Sequence, residues 1–201
     1  MALPVKTRPL TPEEYLRIER EAPCKSEYYG GEMFSMAGGS PRHSLIASKV
    51  MIALGKRLEG GRCVPYGSDL RIGIPADDLY TYPDLSIFCE PMAFLPGTDD
   101  TAVNPTVIVE VLSKTTEAYD RGRKFEHYRR LPSLREYVLV SQEAPVIECF
   151  TREGDERWVL TTARGFDAVM RIDAIETSLP LSEVYAKVDF AVAEAPPAAS
   201  A

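Results

Sequence analysis

One acidic residue in an apolar strand constrains this chain more than any other feature. Glu110 sits inside Pro105-Thr-Val-Ile-Val-Glu-Val-Leu112. A run so uniformly apolar and β-branched reads as a strand covered on both faces, where an ionised side chain is costly unless a cation or hydrogen-bond donors receive it. The residues expected to meet it are Asp84, in Tyr82-Pro-Asp-Leu-Ser-Ile-Phe88, and Lys124, in Arg121-Gly-Arg-Lys-Phe-Glu-His-Tyr128. Two carboxylates at strand positions and a lysine form a candidate site for a hard divalent metal and phosphodiester chemistry.

The surrounding elements follow from local signals. Thr11 as a cap, Pro12 in the first turn and early acids open a helix over residues 11–20. Residues 25–36 read as two strands about Gly30-Gly31, since both turn residues can take positive φ. Ser40-Pro41 opens a second helix reaching Leu58, with His43, Ile46, Ala47, Val50, Leu54 and Leu58 on one stripe. Strands are expected at 62–66, 70–74, 84–89 and 106–112. A helical pattern over 117–131 is closed by Pro132, and strands at 136–140, 146–150 and 157–161 complete the series, the last two turned by Gly154. This order indicates an α/β chain, an α+β mixed sheet flanked by helices, and not a regular βαβ array. A single domain over 11–190 is expected, with an N-terminal tail at 1–10 and a disordered tail at 191–201. The Gly-Gly pairs at 30, 38 and 60 lack a phosphate-loop pattern and read as turns.

Each candidate has a plain structural alternative. Asp84 suits a strand-capping turn as well as a ligand position. Lys124 has Tyr128 four residues on and Leu131 seven on, which turns it toward the sheet; otherwise its methylenes would cover the core with the ammonium in water. Lys114 rivals it, with a direction that strand alternation leaves open. Glu27 and Glu32 flank the hairpin turn, and His43 lies in the first turn of the long helix; any of them would complete a metal shell or orient water, or serve the structure alone. Oxygen ligands without paired Cys or His favour Mg²⁺, or Mn²⁺, over zinc. Cys24, Cys63, Cys89 and Cys149 form no Cys-x-x-Cys and read as small core residues, not a disulfide frame.

A formal charge of −7 argues against broad coating of nucleic acid, which needs Lys and Arg against phosphates, but leaves room for a local groove. The densest basic stretch is Arg121, Arg123, Lys124, Arg129 and Arg130, for which a solvated helix face is the alternative. No stretch approaches the roughly 20 apolar residues that span a bilayer, and no apolar secretion segment is visible, so a cytoplasmic protein without membrane contact is expected.

At Tyr82-Pro-Asp84, Val109-Glu-Val-Leu-Ser113 and the Asp120, Lys124, Tyr128 spacing, the chain resembles the Uma-two family of restriction endonuclease-like proteins, within the PD-(D/E)XK nuclease superfamily. Glu27 with Gly31-Glu32, Pro41 with His43, and Glu136-Tyr-Val-Leu-Val140 extend the likeness over roughly residues 10 to 185. The resemblance implies a restriction-endonuclease-like PD-(D/E)XK core in which Asp84 and Glu110 bind the metal, joined by the Val111 carbonyl. The simplest superfamily pattern puts the lysine two residues after the acid, but Leu112 stands there, and Lys124 matches the relocated lysine of this family. Lys114 stands where the family usually has proline. The implied activity is hydrolysis of DNA phosphodiesters, with Lys124 positioning water or stabilising charge on the phosphate and Glu27 as an auxiliary ligand. A homodimer suits cleavage of both strands. The alternatives are a catalytically idle nuclease-fold binding module acting through a protein or nucleic-acid partner, and a hydrolase of other phosphoesters.

Overall fold

A computed structural model of the chain describes residues 8–36 and 38–191. Helix α1 (Pro12–Glu21) starts at a capping box: Thr11 accepts from the Glu14 N–H while the Glu14 carboxylate takes the Thr11 N–H. It leads into the hairpin of β1 (Ser26–Tyr29) and β2 (Glu32–Ser35). Gly30 and Gly31 turn that hairpin at φ +55 and +96, and a side chain at Gly31 would also strike Pro9. Helix α2 (Pro41–Leu58) has Ser40 as its cap and the expected boundaries.

Strands β3 (Val64–Gly67), β4 (Arg71–Ile74), β5 (Leu79–Thr81), β6 (Leu85–Phe88), β7 (Thr101–Ala102) and β8 (Val107–Val111) follow. Helix α3 (Glu117–Tyr119), a π-helical stretch (Asp120–Lys124) and α4 (Phe125–Tyr128) then run on continuously. Strands β9 (Glu136–Val140), β10 (Val146–Arg152) and β11 (Trp158–Arg164) come next. The chain closes with β12 (Val169–Ile172), β13 (Thr177–Pro180) and α5 (Leu181–Val184), elements the sequence reading lacked.

The strands form a six-stranded mixed sheet, β11-β10-β9-β8-β6-β3, a five-stranded sheet, β2-β1-β5-β4-β7, and the separate pair β12-β13. Every residue of β8 and β9 is buried, so the central strands are covered on both faces as the sequence required. One face, through Val107, Val109, Val138 and Val140, packs on α2, β13 and α5. The other, through Ile108, Tyr137 and Leu139, packs on Phe125 and Tyr128 and on Ile72, Ile74 and Leu79 of the second sheet. Tyr15, Leu16, Tyr28 and Tyr80 form a third cluster beneath α1. No helix among the described residues is long and apolar enough to cross a membrane.

Of the expected tails, residues 1–7 and 192–201 lie outside the described residues. Leu10 packs against the tyrosine cluster and its N–H donates to Gly31.

The reading of the cysteines is corrected. Cys63 and Cys89 form a disulfide, because the antiparallel register that pairs Val64 with Phe88 sets the next two residues opposite each other, with Cα atoms 3.9 Å apart. Cys24 and Cys149 are free. Unreduced, denatured protein is therefore expected to show two reactive thiols with Ellman's reagent, and reduction to lower stability by roughly 3–4 kcal/mol for a loop of this length. Four reactive thiols would mean that no cross-link forms.

Candidate active site

Alternation along β8 sends Val107, Val109 and Val111 to the α2 face and Ile108 and Glu110 to the opposite one, which faces the helix over 117–128. Strand β6 runs antiparallel beside it with Leu85 opposite Val109, so one further step along that register sets Asp84 beside Glu110. The Asp84 N–H lies 3.4 Å from Glu110 Oε2. Glu27 comes from the other sheet, where β1 pairs with β5 and the Thr81 hydroxyl donates to Glu27 Oε1.

Lys124 is the cation at the centre. Its Nζ stands 2.8 Å from Glu110 Oε1, 3.4 Å from Glu27 Oε1 and 3.8 Å from Asp120 Oδ1, and Lys124 is only 6% exposed. The Tyr128 hydroxyl donates to the same Glu110 oxygen at 2.9 Å. Tyr137 donates to the Asp120 carbonyl at 3.1 Å and so holds the π-helical stretch in place. That stretch is a departure from the uniform helix expected over 117–131: it widens the turn that carries both Asp120 and Lys124, a distortion found often where helices bear function.

Three carboxylates thus converge on one ammonium, and the protonation of Glu110 and Asp120 is shifted accordingly. Burial, the largest influence, raises the Glu110 pKa; Lys124 pulls it down, and the charges of Asp84 and Asp120 push it up again. Asp120 is raised too, chiefly by burial. Burial disfavours the Lys124 ammonium, but Glu110, Glu27 and Asp120 outweigh it and hold the group well above the ordinary lysine value.

Metal-free protein should for this reason lose stability as pH rises. Glu110, Asp120 and the buried Glu136 have folded pKa values above their unfolded ones, so folding takes up protons from about pH 4 upward and stability falls toward Glu110's raised value. Lys124 contributes fully below its ordinary value of about 10.4 and does not oppose the trend. Carboxylates with lowered values, such as Glu14 and Asp100 at about 2, are already fully ionised by about pH 5. Urea unfolding at pH 5.5 and 8.5 checks this, and equal or greater stability at pH 8.5 would contradict it.

Asp84 occupies the more open side. Its Oδ2 accepts the Val111 N–H at 2.7 Å and meets His43 Nε2 at 3.0 Å. Burial works against the His43 cation, but Asp84, with Glu110 and Asp120 behind it, raises its pKa.

The structure thus gathers Asp84, Glu110, Lys124, Glu27 and His43. It does not bring in Glu32, exposed at the start of β2, or Lys114, exposed and 3.5 Å from Glu143. The basic stretch is largely charge-paired: Lys124 points inward, Arg121 pairs with Glu117 and Glu148, and Arg130 with Asp77. Sequence reasoning missed Thr81 and Tyr137, whose hydroxyls touch the site across elements distant in sequence. Strand pairing alone would have found Thr81.

Comparison with known proteins places the chain in a family. The family model Uma2, described as "Putative restriction endonuclease", matches residues 12–182. The chain belongs to the Uma2 family. Two relatives, the uncharacterized proteins slr1290 and sll1609 of Synechocystis sp. (strain ATCC 27184 / PCC 6803 / Kazusa), are 35% and 33% identical. The first alignment covers 90% of this chain and 94% of the relative, the second 84% and 95%. In three dimensions this Uma2 chain is similar to a "putative nuclease belonging to DUF820" from Anabaena variabilis ATCC 29413, with a TM-score of 0.72 at 17% identity over 88% of this chain and 98% of that one. The Uma2 fold seen here is accordingly restriction-endonuclease-like, a mixed α/β core flanked by helices.

Proposed function

We propose that this protein is a metal-dependent endonuclease that hydrolyses DNA phosphodiester bonds through Asp84, Glu110, Lys124 and Glu27. The observation that carries the reading is charge imbalance. A structural ion pair needs one carboxylate per ammonium, whereas here Glu110, Glu27 and Asp120 surround Lys124 and Asp84 adjoins Glu110. Such excess acid in a buried place is relieved by protons, as the raised pKa values of Glu110 and Asp120 indicate, or by a further cation that would displace them.

The donor set fits Mg²⁺, or Mn²⁺. Asp84 and Glu110 offer only oxygen, and among the described residues no three His, Cys, Asp or Glu side chains group into an all-protein cage. Mg²⁺ commonly takes one or two carboxylates and keeps waters and substrate phosphate for the rest. The Val111 carbonyl would join them, since in an extended strand it shares an edge with the Val111 N–H that reaches Asp84. A bound divalent cation supplies Lewis-acid polarisation of the phosphate and a lower pKa for the attacking water.

The chain's own groups do the rest. The Lys124 ammonium, fixed by Glu110 and Glu27, meets charge gathering on the phosphate or orients the water. Tyr128 and Thr81 hold Glu110 and Glu27 in place, so that little reorganisation remains when the substrate arrives.

Purified protein is expected to cleave duplex DNA with Mg²⁺ or Mn²⁺ and not with EDTA, two copies acting on the two strands of the duplex. Varied DNA left intact with either metal would remove the enzymatic reading. The net charge of −7 and the paired basic stretch favour a second one, a nuclease-fold binding module. Mg²⁺ separates them: an intact site gains about 2.7 kcal/mol of stability at 100 times its dissociation constant, and a module without the site gains none.

A further inference from the structure

His43 has no part in the chemistry above, yet it is seated with care. Its Nε2 lies 3.0 Å from Asp84 Oδ2, the oxygen that also accepts the Val111 N–H. An ionised carboxylate only accepts, so the contact places a proton on Nε2. Two donors thus converge on Oδ2, and among the described residues Oδ1 receives neither of these bonds.

The other side of the imidazole rests on bare backbone. A Cβ at Gly39 would lie 2.7 Å from His43 Nδ1, closer than such atoms approach, and a tight 3.0 Å from its Cγ. Gly39 has no positive φ that would explain the glycine, so the ring itself is what the missing side chain accommodates. The helix start fixes the third side: Ser40 accepts the His43 N–H at 3.1 Å, and Pro41 opens α2. Glycine backbone, helix cap and carboxylate together give the ring one place to sit.

We infer that His43 is a positioning residue for Asp84, locking Oδ2 between an imidazole and a backbone N–H so that Oδ1 is presented for a cation, with Gly39 as the residue that leaves room for the ring. The part that concerns the cation rests on the proposed metal-dependent reading; the locking of Asp84 stands without it. Groups that orient a ligating carboxylate from behind typically govern metal affinity by about 10–100-fold.

Three variants test this. His43→Phe keeps an aromatic ring without the N–H, His43→Gln returns an N–H near the Nε2 position, and Gly39→Ala displaces the ring from outside without touching any ligand. In metal-free protein the Val111 amide resonance should shift in His43→Phe and Gly39→Ala and stay near the parent's position in His43→Gln. Titration with Mn²⁺ alone should show affinity lower by about 10–100-fold in the first two and close to the parent in the third. An unmoved Val111 amide in both His43→Phe and Gly39→Ala, or parent-like Mn²⁺ affinity in both, overturns the inference. A shifted amide in a protein whose parent binds no Mn²⁺ upholds the locking of Asp84 and removes the cation reading instead.

Discussion

Lys124→Met is expected to destabilise the metal-free protein by about 3–5 kcal/mol at pH 8, the range for removing one partner from a buried ion pair. Methionine is close in volume, so the loss measures charge and not a cavity. Glu110, Glu27 and Asp120 would be left facing one another without the ammonium that now lies within 3.8 Å of all three. The loss should shrink toward pH 5, where Glu110 and Asp120, already raised, take up protons and relieve the repulsion. Cleavage should fall by roughly 10²–10³-fold, as for removal of one positioned transition-state donor. Chemical unfolding at both pH values, beside a cleavage assay, reads all three effects; a variant of unchanged stability at pH 8 would mean that Lys124 lies in solvent.

Asp84→Ala should show the opposite balance. Asp84 is not the partner of the buried ammonium, and its structural duty is to receive the Val111 N–H and His43. Leaving that N–H unsatisfied costs about 1–3 kcal/mol. Catalysis should suffer more, by roughly 4 kcal/mol of lost metal-assisted stabilisation, on the order of 10³-fold, and Mg²⁺ should no longer raise the unfolding midpoint. Cleavage at the parent rate would dismiss Asp84 as a ligand.

The pair of variants separates two things that the sequence read as one. Glu110 was legible because an acid in a β-branched run demands a partner, and Lys124 because its spacing from Tyr128 and Leu131 turned it inward. A buried strand acid is nevertheless no sufficient sign of a site. Glu136 on β9 is 1% exposed, but it accepts the N–H groups of Asp173 and Ala174 and the Thr151 hydroxyl, and so pins the start of the turn before β13. Its donors are mostly backbone and its place is structural. What distinguishes Glu110 is the company of further acids, Asp84 from the neighbouring strand, Asp120 from the helix and Glu27 from the second sheet, which only the assembled fold supplies.

The parts that escaped sequence reading are non-local. The hairpin and α2 declared themselves through glycine pairs, caps and a helical stripe. The disulfide depended on the register of β3 against β6, which residue spacing does not encode. The π-helical turn is held by contacts from elements distant in sequence, the Tyr137 hydroxyl on the Asp120 carbonyl and Glu110 on Lys124, and Gly122 within it gives only a faint local sign. The strands β12 and β13 were hidden because their buried residues, Met170, Ile172 and Leu179, are too few to set up a pattern before the six-stranded sheet is there to receive them.

The most direct measurement is the anomalous signal of a crystal soaked in Mn²⁺. A single peak bonded to carboxylate oxygens of both Asp84 and Glu110, with the Lys124 ammonium beside it, is the expected result. Density for both carboxylates with no Mn²⁺ between them at millimolar metal, or a peak bonded elsewhere, would contradict it.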